Sequence, residues 1–249
     1  MKRLITVVVA AGLLATGCRS TSPVAAQESS PSTAVAAPAA SPPATPLRPQ
    51  PSTPEIGRPE RFSAAVTVIG PATRAHMVSW RPGCPVPVEE LRVVHLTYWG
   101  FDGAPHRGEL VVNRRAADAV VTVMRRLFTV RFPIRRMEPI DAYGGDDERS
   151  MAADNTSAFN CRSAKGHPGV WSEHSFGWAI DIDPLENPYV EGGVVDPPAG
   201  RAYADRSRSA PGMIHAGDAV VRAFTAVGWG WGGGWSSIKD YQHFSATGR

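Results

Sequence analysis

Long hydrophobic runs are missing from this chain of 249 residues. The apolar stretch from Leu4 to Ala15 is about a dozen residues, short of the roughly 20 that a membrane-spanning helix needs. An excess of charge of one sign is missing as well. The 26 basic residues face 23 acidic ones, for a formal net charge of +3. Basic residues are scattered, apart from pairs such as Arg125-Arg126 and Arg135-Arg136, which read as solvated faces of apolar segments. No nucleic-acid footprint results. The glycine-rich run from Trp229 to Trp235 lacks the Lys-Ser/Thr of a Walker loop, and no strand leads into it. A phosphate cradle is excluded, and the run reads as a tight turn with tryptophans walling a cleft. The regular strand–helix alternation of a doubly wound sheet is also missing. The pattern predicts an α+β fold with a mainly antiparallel sheet and flanking helices.

Cysteine is scarce, with three residues in the chain. Cys18 closes the apolar stretch that starts behind Lys2 and Arg3. The small residues Ala15-Thr16-Gly17 directly before it resemble a bacterial lipoprotein signal, which implies lipidation of Cys18 as the new N-terminus. The alternative is an ordinary secretory signal. On either reading residues 1–18 are a processing segment and the mature chain is exported. Residues 19–61 are Ser, Pro, Ala and Thr with almost no large apolar side chain. They cannot bury enough surface to offset ordering entropy, and their proline content makes a semi-stiff, disordered spacer. Residues 62–249 are one domain's worth of chain. In an oxidising compartment its even pair, Cys84 and Cys161, predicts a disulfide. The alternative would make both of them thiolate metal ligands.

Within the domain, Leu91 to Trp99 reads as a strand with Val94, Leu96 and Tyr98 on one face and His95 on the other. A turn is expected over Gly103–Gly108 and a short strand over Glu109–Val112. Asn113 is a candidate N-cap for a helix over Arg114–Phe128, in which Ala116, Val120, Met124 and Leu127 recur at helical spacing. An extended piece starts at Phe132-Pro133-Ile134, Asp141 to Ser150 reads as polar loop, and Thr156 to Arg162 as a strand. Val220, Phe224 and Val227 mark a second helix ending at Gly228.

The chemistry lies in two short constellations. His174 and Asp181 stand seven apart, and Asp240 and His243 three apart. Two imidazoles and a carboxylate suit a zinc ion that keeps one position open for water, and a further carboxylate is the right kind of group to take that water's proton. Alternation buries Ile180 and Ile182 and puts Ala179, Asp181 and Asp183 on the other face, so Asp183 is a rival to Asp181 as ligand. Its competing role is to bond the turn that Pro184 opens. Gly177 places His174 in a turn from which it can fold back toward Asp181. No serine triad is visible.

Ser172, His174, Gly177, Ala179 and Asp181, followed by Trp231, Gly232, Gly233, Trp235, Asp240, His243 and Phe244, resemble the D-alanyl-D-alanine carboxypeptidase family of zinc peptidases. That family includes VanY-like carboxypeptidases and L-alanyl-D-glutamate endopeptidases, and shares its metal site with hedgehog-type domains. The resemblance implies that fold and Zn2+ held by His174, Asp181 and His243. It also implies Asp240 as general base, and an upstream arginine that grips a peptide carboxylate. Arg162 is the candidate for that arginine, and Arg149 the rival. Many members carry an acidic residue after the His-Phe pair; here Ser245 stands there. The expected substrate is the stem peptide of peptidoglycan. The expected setting is a monomer, lipid-anchored outside the cell membrane and facing the wall. A non-catalytic wall-binding lipoprotein would have lost a ligand or the base, and all four residues are present.

Overall fold

A computed structural model describes residues 61–249. The expected signal segment, Cys18 and nearly all of the expected linker lie outside the described residues. In chain order the elements are β1 (Ala64–Val68), α1 (Pro71–His76), β2 (Leu91–Trp99), β3 (Pro105–Asn113), α2 (Ala117–Thr129), β4 (Arg136–Met137), α3 (Asp147–Ala152), β5 (Asn155–Thr156), β6 (Ser163–Ala164), β7 (His167–Trp171), β8 (Ala179–Asp181), β9 (Tyr189–Glu191), β10 (Val194–Asp196), α4 (Ala219–Thr225), β11 (Gly230–Trp231), β12 (Lys239–Asp240) and β13 (His243–Ser245). The class is α+β, but the strands form several small sheets, nearly all antiparallel, in place of one large one. Their orders are β1-β2-β3, β10-β9-β12, β11-β13-β8 and the pair β6-β7, with β4-β5 parallel. Among the described residues no helix is long and apolar enough to cross a membrane.

β2 separates two cores. Val94 and Leu96, with half-buried Tyr98, face the main cluster with Val120, Met124 and Leu127 of α2. Leu91 and Val93 face a second cluster with Val111, Phe159 and Cys161. A strand apolar on both faces is what a central strand requires, and the period-two reading captured one of its two faces. Cys84 and Cys161 are joined by a disulfide at the second cluster, linking segments 77 residues apart. His95 stays at the surface, bonded to Thr67 and Glu109.

Several boundaries move for identifiable reasons. The turn before β3 is made by Asp102-Gly103, where Asp102 accepts from the Ala104 amide and Gly103 sits at φ 70°. Pro105 can therefore open the strand at a position that needs no amide hydrogen. Asn113 is the last residue of β3, and its side chain accepts from the Arg115 amide. It shapes the turn before α2 and does not cap the helix. The polar stretch after Asp141 is more ordered than a loop. Asp141 clasps Val78 and Ser79, and Asp146 caps α3 through the Arg149 amide. Thr156 to Arg162 is a strand only at its start. The amides of Phe159, Asn160 and Cys161 donate in turn to Val111, His174 and Ser79. Three different partners make this segment a junction, which side-chain alternation cannot reveal.

Candidate metal centre

β8 and β13 lie side by side, with His243 opposite Asp181 and Phe244 opposite Ile180. Because strand side chains alternate, Ile180 and Phe244 go down into the core and Asp181 and His243 come up together. Phe244 stacks on Phe224 of α4 at 3.9 Å between centroids, which fixes the height of the strand above the helix. β8 is held on its other side by an isolated bridge from Asp181 to Ser157.

His174 enters from the short 3-10 turn Glu173–Phe176. Ser172 starts that turn by accepting from the His174 amide. Gly177 ends it at φ 70°, where a Cβ would lie 2.4 Å from the Asn113 nitrogen. Only glycine combines that left-handed conformation with so close a contact, and the Asn113 amide donates to its carbonyl. The turn is thereby pinned to the end of β3.

His174, Asp181 and His243 are all buried, and one ligand atom from each lies within 4.8 Å of the others. His174 Nε2 is 3.1 Å from Asp181 Oδ2, His243 Nδ1 is 3.0 Å from Asp181 Oδ1, and the two inner nitrogens are 3.2 Å apart. The outer nitrogens define the protonation pattern. His174 Nδ1 donates to the Ala158 carbonyl at 2.6 Å, and His243 Nε2 to the main-chain oxygen of Arg249 at 3.1 Å. Such an oxygen can only accept, so each outer nitrogen carries the hydrogen. A ring that carries its hydrogen there alone turns a lone pair inward. Two lone pairs and a carboxylate converging in a buried space repel one another unless a cation or a proton sits among them. The donor set fits a zinc-like divalent ion, with each imidazole oriented through its far nitrogen. Burial works against ionisation of Asp181, but the two imidazoles outweigh it and hold the carboxyl far below its ordinary value.

Asp240 comes from β12, opposite Tyr189 of β9. Gly232 lets the chain pass close, since a Cβ there would meet the Asp240 carbonyl at 2.7 Å. Asp240 Oδ1 is buried with no hydrogen-bond partner. Burial pushes its carboxyl up to about 6, aided by the Asp181 charge and opposed by His243, His174 and Arg162. It opens into the cleft that holds the three clustered residues, a cavity of about 880 Å³ also lined by Asp147, Arg162, Trp171, Tyr189 and Trp235.

Of the tryptophans expected to wall this cleft, only Trp235 among those of the Trp-Gly run lines it. Trp229 is buried against Phe224, and Trp231 packs on Phe244 while donating to the Tyr241 carbonyl. Trp171 supplies another wall from the β6–β7 hairpin. Arg162 reaches the cleft, with Nη2 on Asp147 at 2.8 Å and a buried Nε that has no partner. Arg149 sits in the last turn of α3 and does not line the cleft. The residues that orient the site, Ala158, Arg249 and Asp147, were not visible in the sequence. Two of them act through main-chain oxygens, which leave no side-chain signal.

Asp183 does not join the cluster. Its φ of 42° ends the strand, and its side chain accepts from the Arg135 amide at 2.8 Å and the Thr156 hydroxyl at 3.4 Å. It lies in a buried acidic group with Asp154 and Glu186, against which Arg135 is the counter-charge. Burial, with the hydrogen bond and charge of Asp154, pushes Glu186 from 4.5 up to about 8. Between those values the folded chain keeps a proton that the unfolded chain has released. The stability contributed is complete below the lower value and is lost as pH rises through the upper one. Glu186→Gln is expected to flatten this dependence and raise the melting temperature at pH 8 by several degrees, at about 2–4 °C per kcal/mol for a domain of this size. Thermal melts at pH 5 and pH 8 check it. An unchanged difference between the two pH values would contradict it.

Comparison with known proteins bears on this geometry. Residues 165–246 match the model of the D-alanyl-D-alanine carboxypeptidase family, a segment that contains His174, Asp181, Asp240 and His243 and stops short of Arg162. Such a match suggests a peptidase, of a kind that acts on peptidoglycan. Neither the curated proteins nor the solved structures give a match to this chain.

Proposed function

We propose that the chain is a zinc-dependent peptidase that hydrolyses stem peptides of peptidoglycan, with D-alanyl-D-alanine carboxypeptidase activity as the reading its geometry favours over L-alanyl-D-glutamate endopeptidase. The observation that carries it is the pair of imidazoles turned inward on Asp181 beside an unpartnered, buried Asp240 in one cleft. The fold we infer is that of the hedgehog-like zinc peptidases.

His174, Asp181 and His243 would hold the ion. Bound there, zinc supplies Lewis acidity, which lowers the pKa of a coordinated water toward about 7 and polarises a peptide carbonyl. Asp240 takes the proton of the attacking water and hands it to the leaving amine. Burial that raises the Asp240 carboxyl suits that exchange, since a base works best when its pKa is brought toward the working pH. Arg162 supports a carboxypeptidase. Asp147 holds one arm of its guanidinium at the wall of the cleft, where its charge can attract a terminal carboxylate. Trp171, Tyr189 and Trp235 exclude water from the peptide. We place this domain outside the cell membrane, tethered by a lipid on Cys18 through the Pro-rich spacer, within reach of the wall.

Mass spectrometry of products from purified muropeptides tests the proposal. Release of free D-alanine from a pentapeptide stem is the expected result. A cut after L-alanine would reassign the enzyme as an endopeptidase, and intact muropeptides after incubation with the zinc-loaded protein would overturn the peptidase reading.

A further inference from the structure

We propose that the segment Ser245–Arg249 is a positioning strap for the metal centre, whose main-chain oxygen at Arg249 selects the ring nitrogen of His243 that faces the cation. This inference rests on reading the three clustered residues as a metal site, and concerns how this particular chain holds one of them.

The two imidazoles are oriented by different means. His174 is bonded to Ala158, in the interior junction that also engages Val111 and Ser79. His243 relies on a segment that doubles back on its own strand. After β13 the chain turns at Gly248, which has a φ of 77°, and the Gly248 amide donates to the Ser245 carbonyl. The Arg249 oxygen then receives two hydrogens, one from His243 Nε2 and one from the Ser245 hydroxyl at 2.7 Å. The return is held at two more points. The Ala246 amide donates to the Trp178 carbonyl, and the Trp235 indole donates to the Gly248 carbonyl at 2.9 Å. Gly230 makes room for it, since a Cβ there would come within 2.6 Å of the Gly248 Cα.

This arrangement gives Ser245 a use. A carboxylate following the His-Phe pair could accept from an imidazole directly, and a serine hydroxyl on β13 does not replace that charge. Here Ser245 steadies the main-chain oxygen of Arg249, and that oxygen accepts from the ring. Without the strap, neutral His243 could exchange its hydrogen between nitrogens. The tautomer with hydrogen on Nδ1 would then point a donor at Asp181 and remove the inward lone pair. Groups that hold a ligand's far nitrogen typically account for 10–100-fold in metal affinity.

The test measures zinc dissociation constants by competition with a chromophoric chelator. It compares the full chain, the chain ending at Thr247, and the Ser245→Ala, Trp235→Phe and His243→Ala variants, with circular dichroism of each metal-free protein. Loss of Gly248 and Arg249 is expected to weaken zinc binding about 10–100-fold with the metal-free spectrum retained. Ser245→Ala and Trp235→Phe are expected to weaken it several-fold in the same direction. A truncated chain that binds within twofold of the full chain overturns the strap. If truncation unfolds the protein, the two point variants decide, and full affinity in both overturns it. Undiminished binding by His243→Ala would overturn the metal-centre reading along with the strap, whereas a strap failure alone leaves the His243→Ala loss in place.

Discussion

Replacing Asp240 by Asn is expected to lower kcat/KM on a stem peptide by about 10²–10⁴-fold, the range usually lost with a general base, while the protein still binds zinc. The expectation follows from where Asp240 stands. It shares the cleft with the three clustered residues, yet it is not part of the group whose ligand atoms converge. Its buried oxygen has no partner in the fold, so the carboxylate is not engaged in holding structure. Asn keeps the volume and removes the ability to take a proton. Metal content measured by elemental analysis should stay equimolar with protein. A D240N protein of full activity would remove Asp240 from the mechanism, and one that lost its metal would make it a ligand.

His174→Ala is expected to take bound zinc from equimolar to trace and to abolish hydrolysis. The ring supplies one of three donors, and its Nδ1 hydrogen bond to Ala158 is the contact that aims it. Removing the ring leaves two donors, Asp181 and His243, which can pair with each other around a proton as readily as around an ion. Their separation is already 3.0 Å, and in the metal-free cluster His243, despite burial, is pushed up to about 9 chiefly by its bond to Asp181 and the charges of Asp181 and Asp240. The loss should therefore exceed what one missing ligand costs in a rigid site. Equilibrium dialysis of the variant against zinc reads the result, and stoichiometric binding with unchanged affinity would exclude His174 as a ligand. The turn from Glu173 to Phe176 is held by Ser172, Gly177 and Asn113 through the main chain, so the variant should keep its fold.

The helix that carries Val120, Met124 and Leu127 and the strand that carries Val94 and Leu96 could be read directly, because burial on one face imposes a period and a period survives in one dimension. Asp181 and Ile180 separated for the same reason. The short strands did not show themselves. β4, β5, β11 and β12 are two residues long, too short for any alternation, and they exist because partners from distant parts of the chain supply their hydrogen bonds. The segment from Thr156 to Arg162 had a strand's composition but serves three partners, and composition does not record where an amide donates. Likewise the tryptophans of the Trp-Gly run read alike as cleft walls, yet Trp235 lines the cleft while Trp229 and Trp231 pack inward, since indole size argues for a wall or a core equally well.

The sequence by itself determined which groups are available for the proposed chemistry: two histidines, two aspartates beside them and a nearby arginine, the histidines and aspartates in spacings that resemble those of a carboxypeptidase family. Side-chain chemistry is local, so these could be named from their positions. Tertiary structure decided their placement. It set His243 across from Asp181 by strand register, turned Asp183 away at a left-handed residue, and left Asp240 unpartnered. It also gave each imidazole a main-chain oxygen that points its lone pair inward. Register, handedness and hydrogen-bond direction are relations between segments far apart in the chain, and only folding brings those segments within reach of one another.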